Sequence, residues 1–212
     1  MKNQHHVITI GRQLGSGGSA MGKAIAEHFG FEYIDKEILV KAAAILDADE
    51  ENLELVDENV SALTAMARSA AFEMPYIAKE WYIPTSDQLF KTQTEIMRES
   101  VEKGPCVIIG RCASYLFRHY EKHTSIFLQA DMDSRIKRLE KTLDKKLSEK
   151  KAVHDIEKQD RERAQYYNTF TGKKWLDLRQ YDFVLDTSPF SDEEIKDILF
   201  HYITVRFPEL KK

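Results

Sequence analysis

A short apolar run, Val7-Ile8-Thr9-Ile10, breaks into Gly11-Arg12-Gln13-Leu14-Gly15-Ser16-Gly17-Gly18 and resumes as a helical pattern from Ser19. Five of the nine glycines of the 212-residue chain fall between Gly11 and Gly22. Glycine costs backbone entropy wherever it is used, so this concentration predicts a loop that needs left-handed φ angles or lies close against a ligand. A buried strand, a glycine loop and a helix N-terminus together make an anion site. Successive N–H groups point into one concavity and the helix dipole adds partial positive charge, which suits phosphate groups.

The residues after the loop extend the pattern. A helix over roughly 19–29 places Met21, Ile25 and Phe29 on one face and stops at Gly30. Residues 31–35 read as a second short strand with Asp35 at its end, completing a βαβ unit and predicting an α/β class. Further strands are expected at 106–109, opening onto Gly110-Arg111, at 124–130 and at 182–186. Ligands of open α/β sheets sit beyond the carboxyl ends of strands, so Arg111 emerges where the glycine loop and Asp35 converge.

Between 36 and 68 the pattern is helical, with one stripe of Ile38, Leu39, Ala42 and Ile45 and another of Leu53, Val56, Val60, Leu63 and Ala67. An aromatic patch, Tyr76, Trp81 and Tyr82, sits between Pro75 and Pro84, and a new helix starts near Ser86-Asp87. After the fourth strand, Asp131 is an N-cap for a helix to about residue 146, with Ile136, Leu139 and Leu143 inward and Arg135, Lys137 and Arg138 on the opposite, basic face. A helical segment over 150–172 carries Asp160, Arg161 and Arg163, which suit a basic lid that excludes water from a phosphoryl-transfer site. Ser191 and Glu194 form a capping box for a last helix ending before Pro208. We read a single domain, with a core over about 5–40, 104–140 and 175–212, a helical insert over about 41–103 and a lid over about 145–174.

Composition narrows the partners. A chain that is 42% hydrophobic and 31% charged, with net charge −4, predicts a globular domain that binds neither nucleic acid nor anionic membranes broadly. No signal peptide or membrane span is evident, and Cys106 and Cys112 show neither disulfide nor zinc spacing, so reduced thiols in cytoplasm are expected. His5-His6 reads as a polar tail. Oligomeric state is left open.

The Walker pattern GxxxxGK[ST] fits the loop in two registers. One reads Gly17-x-x-x-x-Gly22-Lys23 but puts Ala24 where a hydroxyl is needed and leaves six residues between strand and first glycine. The other sets Arg12 on the first glycine, Gly18 on the lysine and Ser19 on the magnesium-binding hydroxyl. It keeps the loop length and gives up the lysine, and we prefer it because length is a geometric constraint. A Rossmann dinucleotide site is the rival, since Gly15-x-Gly17-x-x-Ala20 matches GxGxxA and Asp35 lies where a ribose-binding acid is expected. That fingerprint should follow its strand directly, and here Gly11-Arg12-Gln13-Leu14 intervenes.

With Ile8-Thr9-Ile10-Gly11-Arg12, Gly15-Ser16-Gly17-Gly18, Tyr33-Ile34-Asp35-Lys36-Glu37, Gly110-Arg111, Ala130 with Arg135, and Arg161 through Tyr166-Tyr167 to Trp175, the chain resembles the cytidylate kinase-like family of nucleoside monophosphate kinase relatives. The resemblance implies a three-layer P-loop kinase fold with a parallel five-stranded sheet, a helical acceptor-side insert and a lid. It implies ATP and Mg²⁺, with Gly15, Ser16, Gly17, Gly18 and Ser19 holding the ATP phosphates, Ser19 also the metal, and Arg111 the acceptor phosphate. Arg161 and Arg163 would close over the transferring group, and Asp35 is a candidate acceptor-side base, with Asp160 either its rival or an orienter of a lid arginine. The chain departs from true cytidylate kinases at three places: Gly18 replaces the phosphate-binding lysine, Cys112 an aspartate and Ile156 a lid arginine. Arg12 and Lys23 are the candidates to supply the absent charge. The expected activity is ATP-dependent phosphorylation of a nucleoside monophosphate, cytidylate first, and the alternative is a nucleotide-binding sensor with little catalysis.

Overall fold

The computed structural model describes residues 5–35, 37–48 and 86–211. The stripe from Leu53 to Ala67 and the aromatic patch at Tyr76, Trp81 and Tyr82 lie outside the described residues. In chain order the elements are β1 (Val7–Arg12), α1 (Gly18–Phe29), β2 (Glu32–Ile34), α2 (Glu37–Leu46), α3 (Ser86–Lys103), β3 (Cys106–Ile109), α4 (Ala113–Leu116), β4 (His123–Gln129), α5 (Met132–Leu143), α6 (Glu149–Thr171), β5 (Phe183–Asp186) and α7 (Asp192–Arg206).

The five strands are parallel and ordered β2-β3-β1-β4-β5. Side chains alternate across the pleat, so each strand feeds two cores. Ile8, Ile10, Val107, Ile109, Ile126 and Leu128 meet Met21 and Ile25 of α1 and Ile195, Leu199 and Ile203 of α7. On the other face Val7, Cys106 and Ile108 meet Ile38 and Leu39 of α2 and Leu89, Ile96 and Met97 of α3. This is the three-layer arrangement expected from the sequence, with helices on both sides of a buried parallel five-stranded sheet. It overturns the dinucleotide reading, because a Rossmann sheet sets β2 beside β1, and here β3 lies between them. Among the described residues no helix is long and apolar enough to cross a membrane.

Two expectations from apolar spacing are corrected. On α2, Ile38, Leu39, Ala42 and Ala43 are buried while Ile45 is 63% exposed, so the stripe shifts by one position near its end. On α5 the buried residue is Arg135, and Leu143 is 54% exposed. This helix turns toward the glycine loop and α6, where its partners are polar, and not toward the apolar core. The Asp131 cap and the Ser191–Glu194 capping box form as read from sequence.

Of the titratable groups buried among the described residues, one bears on how stability depends on pH. His123, at the start of β4, makes a 2.9 Å hydrogen bond with Thr9 Oγ1. Burial, with the positive charge of Arg206 and against the pull of Asp182, lowers its pKa to about 4. Below about pH 6.5 the unfolded chain therefore binds a proton that the folded one refuses, so stability falls as pH falls from about 6.5 to 4. A shift from 6.5 to about 4 is worth about 3 kcal/mol once that window is crossed. Urea unfolding of His123→Asn at pH 7, 6 and 5 should show a shallower pH dependence than the parent; parallel curves would contradict it.

Candidate functional site

The glycine loop is pinned at both ends before any ligand arrives. Gln13 N donates to Leu128 O at 3.0 Å, and its side-chain Oε1 accepts from Ala130 N at 3.2 Å. Ser16 Oγ donates to Gln13 O at 2.8 Å, and Thr187 Oγ1 donates to Ser16 O at 3.1 Å. The loop is thus stapled to the carboxyl ends of β4 and β5. Gly15 has φ 80°, and a Cβ there would lie 2.6 Å from the backbone oxygen of Arg135. Gly17 has φ 87° and is the N-cap of α1, with no side chain capping the first turn. The opening N–H groups of a 12-residue helix are thereby left for an anion.

Gly18 and Ser19 form the first turn of α1, while Gly22 and Lys23 lie a full turn further on. The glycine at 22 has a packing explanation: a Cβ would sit 2.4 Å from Ile109 Cδ1, so its absence lets α1 lie close on β3. Lys23 is exposed and lines neither of the two cavities at the strand ends. The geometry is that of the register ending in Ser19, and Lys23 is not brought to the loop.

Across the strand ends the charged residues gather. Asp35, just past β2, stands with its Oδ1 3.4 Å from Arg111 Nη1 and 3.9 Å from Arg12 Nη2. The Tyr33 hydroxyl lies 3.0 Å from Asp35 Oδ2 and 3.2 Å from Ser19 O, tying β2 to the start of α1. Burial, with the Asp35 charge adding to it, pushes the Tyr33 phenol up, so it stays protonated as a donor. Arg111 is only 4% exposed, and it comes after Gly110 in a run of left-handed residues: φ is 70° at Gly110, 48° at Arg111 and 58° at Cys112. Left-handed non-glycine residues cost about 1–2 kcal/mol each, a strain that here turns the chain off β3 and aims the guanidinium at Asp35.

Helix α6 closes the site from above. Arg163 Nη1 donates to Arg12 O at 3.2 Å. Asp160, one turn earlier, accepts from Leu14 N at 2.9 Å and from the guanidinium of Arg135, whose Nε donates to Leu14 O at 2.6 Å. Loop, α5 and α6 are therefore joined in one ring of charge-assisted bonds. Arg161 stands apart, 63% exposed at its side chain and paired with Glu157 at 3.5 Å. Of the sequence candidates, Arg12, Asp35, Arg111, Arg163 and Gly15 to Ser19 converge, and Arg161 and Lys23 do not. Asp160 orients the loop and Arg135, not a lid arginine. Arg135 and Arg138 went unassigned because the spacing placed them on a solvent face. Arg138 instead holds the loop after β5, donating to Thr187 Oγ1 at 3.0 Å and Thr187 O at 2.7 Å.

Two cavities flank this cluster. The larger, about 410 Å³, is lined by Gly15, Gly17, Gly18, Ser19, Arg138 and Thr142. The smaller, about 30 Å³, lies under α6 and is lined by Gly110, Arg111, Cys112, Tyr166, Trp175 and Tyr181. Arg12 and Arg163 line both. Among the described residues no group of three or more His, Cys, Asp or Glu side chains could hold a metal. A divalent ion here would need oxygens from a bound phosphate chain and water beside the Ser19 hydroxyl. That donor set matches the preference of Mg²⁺ for few protein ligands.

The model of the Cytidylate kinase-like family matches residues 7–189. A cytidylate kinase from Methanopyrus kandleri is 26% identical over 201 residues, spanning 91% of this chain and 90% of that one. A crystal structure of an uncharacterized protein from Eubacterium ventriosum superposes with a TM-score of 0.67 at 24% identity, covering 94% of this chain and 98% of that one. A gluconokinase from Sinorhizobium meliloti does so with a TM-score of 0.55 at 16% identity, covering 99% and 97%. At these identities the two structures establish the fold alone.

Proposed function

The chain belongs to the cytidylate kinase-like family, and from that premise we propose that it transfers a phosphoryl group from ATP to a nucleoside monophosphate, cytidylate being the first candidate acceptor. The observation that carries this reading is the pair of cavities meeting at Arg12 and Arg163. Phosphoryl transfer needs a donor site and an acceptor site in line, with positive charge over the group that passes between them. The larger cavity, with the uncapped start of α1 at its floor, is the donor side. The smaller one, backed by Arg111, is the acceptor side, and it opens as α6 lifts to admit the nucleotide.

Each side chain then has a task that its position supports. The N–H groups from Gly15 to Ser19 hold the donor phosphates. Arg111 receives the acceptor phosphate, and Asp35 orients both Arg111 and Arg12 in the absence of substrate. Arg163, carried on α6, screens the charge that develops on the equatorial oxygens. When bound, Mg²⁺ neutralises charge between the outer phosphates of ATP, and the Ser19 hydroxyl is the protein ligand available to it. Ser19→Ala is accordingly expected to weaken Mg²⁺-dependent ATP binding by about tenfold or more, whereas Lys23→Ala leaves it within about twofold. Isothermal titration with and without Mg²⁺ measures both, and the reverse ranking would contradict the assignment.

The decisive experiment offers purified protein ATP, Mg²⁺ and a panel of nucleoside monophosphates, and monitors ADP release. Acceptor-dependent ADP formation, greatest with cytidylate, is the expected result. ATP binding without such release across the panel would favour a nucleotide-binding regulator, the reading to which the glycine at position 18 lends support.

A further inference from the structure

We propose that Arg12 has taken over the work of the P-loop lysine, and that Gly18 is glycine because Arg12 occupies the lysine's place. This rests on the kinase reading. The Walker pattern puts glycine at the strand end and lysine at the start of the helix, and here the two residue types are exchanged: a cation stands at position 12 and a glycine at position 18.

The exchange is spatial as well as formal. A Cβ built on Gly18 would lie 2.5 Å from Arg12 Cβ and 2.6 Å from Arg12 Cγ, both well inside van der Waals contact. The Cβ is fixed by the backbone and cannot swing aside without moving β1 itself, and a χ1 rotation that carried the Cγ away would leave the Cβ contact in place. Gly18 does not lie in the left-handed region, unlike Gly15 and Gly17, so its backbone conformation would accept any residue. Alanine would indeed suit a helical first turn better. What excludes a side chain is the stem of Arg12. Any lysine at 18 and any arginine at 12 compete for one volume.

The guanidinium that results is well placed for phosphate. The Arg12 side chain is 11% exposed, lies 3.9 Å from Asp35 Oδ1, and lines both the donor and the acceptor cavity. Its carbonyl receives Arg163 Nη1 at 3.2 Å, which fixes the backbone that carries it. A planar fork that reaches two phosphates at once differs from a lysine point charge, so Arg12 is assigned to the bridging position between donor and acceptor. On binding, the Arg12–Asp35 contact yields to contacts with phosphate oxygen.

The test separates packing from charge. By urea unfolding, Gly18→Ala should lower the midpoint of the parent protein and leave it unchanged or raise it in an Arg12→Gly background. By titration with ATP and Mg²⁺, Arg12→Ala should weaken binding by about 10- to 100-fold. Gly18→Lys alone should bind at least as poorly, because both side chains contest one space. The double variant Arg12→Gly/Gly18→Lys should recover affinity to within about fivefold of the parent. ATP affinity that survives Arg12→Ala, or a Gly18→Lys single variant that matches the double, overturns the exchange. A parent protein that binds no ATP overturns the kinase reading and this inference with it, so the two failures are distinguishable.

Discussion

Arg163→Ala is expected to slow phosphoryl transfer by about a thousandfold while changing ATP affinity by less than about tenfold. The residue shares with Arg12 the boundary between the two cavities, and it rides on α6, which in the proposed reaction lifts to admit an acceptor. A cation brought in by a moving helix meets the phosphoryl group chiefly when the site is closed. Its loss therefore falls on the transition state and spares the ground-state complex, which lowers turnover more than it raises KM. Arg163→Lys should recover part of the loss, because charge returns without the planar fork. Steady-state kinetics with the preferred acceptor, beside ATP titration of the same variant, read the two effects separately. Turnover within about threefold of the parent would remove Arg163 from the chemistry.

Arg161→Ala is the natural control, and the reason shows what the sequence could and could not reveal. Residues two apart on a helix point about 200° from one another, so Arg161 and Arg163 cannot both face the loop. Asp160 and Arg163, three apart, share a face, and that face is the one that meets Leu14 and Arg12. Helical spacing alone would have chosen between the two arginines once Asp160 was tied to either side. The tie itself is not local: it joins Asp160 to a backbone N–H 146 positions earlier.

The strands and glycine loop were legible for a different reason. Short apolar runs, two of which end at Gly11 and Gly110, have few alternatives in a buried parallel sheet, and they fix where the strand ends, and hence Asp35 and Arg111, must gather. That the helix opens at Gly18, directly after the glycine loop, was legible from the loop's length. Why Gly18 and Gly22 are glycines was not, because each answers to a neighbour from another element or another turn, Arg12 for the first and Ile109 for the second. Arg135 was misplaced on the same ground. Spacing assigns the charged face of an amphipathic helix to water, and on α5 part of that face is buried against a carboxylate.

That buried pair gives the second large effect. Asp160→Asn keeps an acceptor for Leu14 N but removes the charge that Arg135, 5% exposed, depends upon. Removing one partner from a buried ion pair costs about 3–5 kcal/mol, far more than the pair's net worth, because the remaining charge is left without compensation. The urea midpoint should fall accordingly. ATP affinity should fall too, since Arg135 Nε holds Leu14 O and the backbone of Arg135 packs on Gly15, so the loop loses its support when the arginine shifts. Replacing both members by apolar residues of similar size, Arg135→Met with Asp160→Leu, separates these consequences. Stability should return to near the parent value, as is common when a buried pair is exchanged for packed apolar groups, whereas nucleotide affinity should stay low because Leu14 N and Leu14 O have both lost their partners. Recovery of both properties in the double variant would mean that the ring of bonds around Leu14 serves only the fold, and that the loop finds its phosphate-binding shape without it.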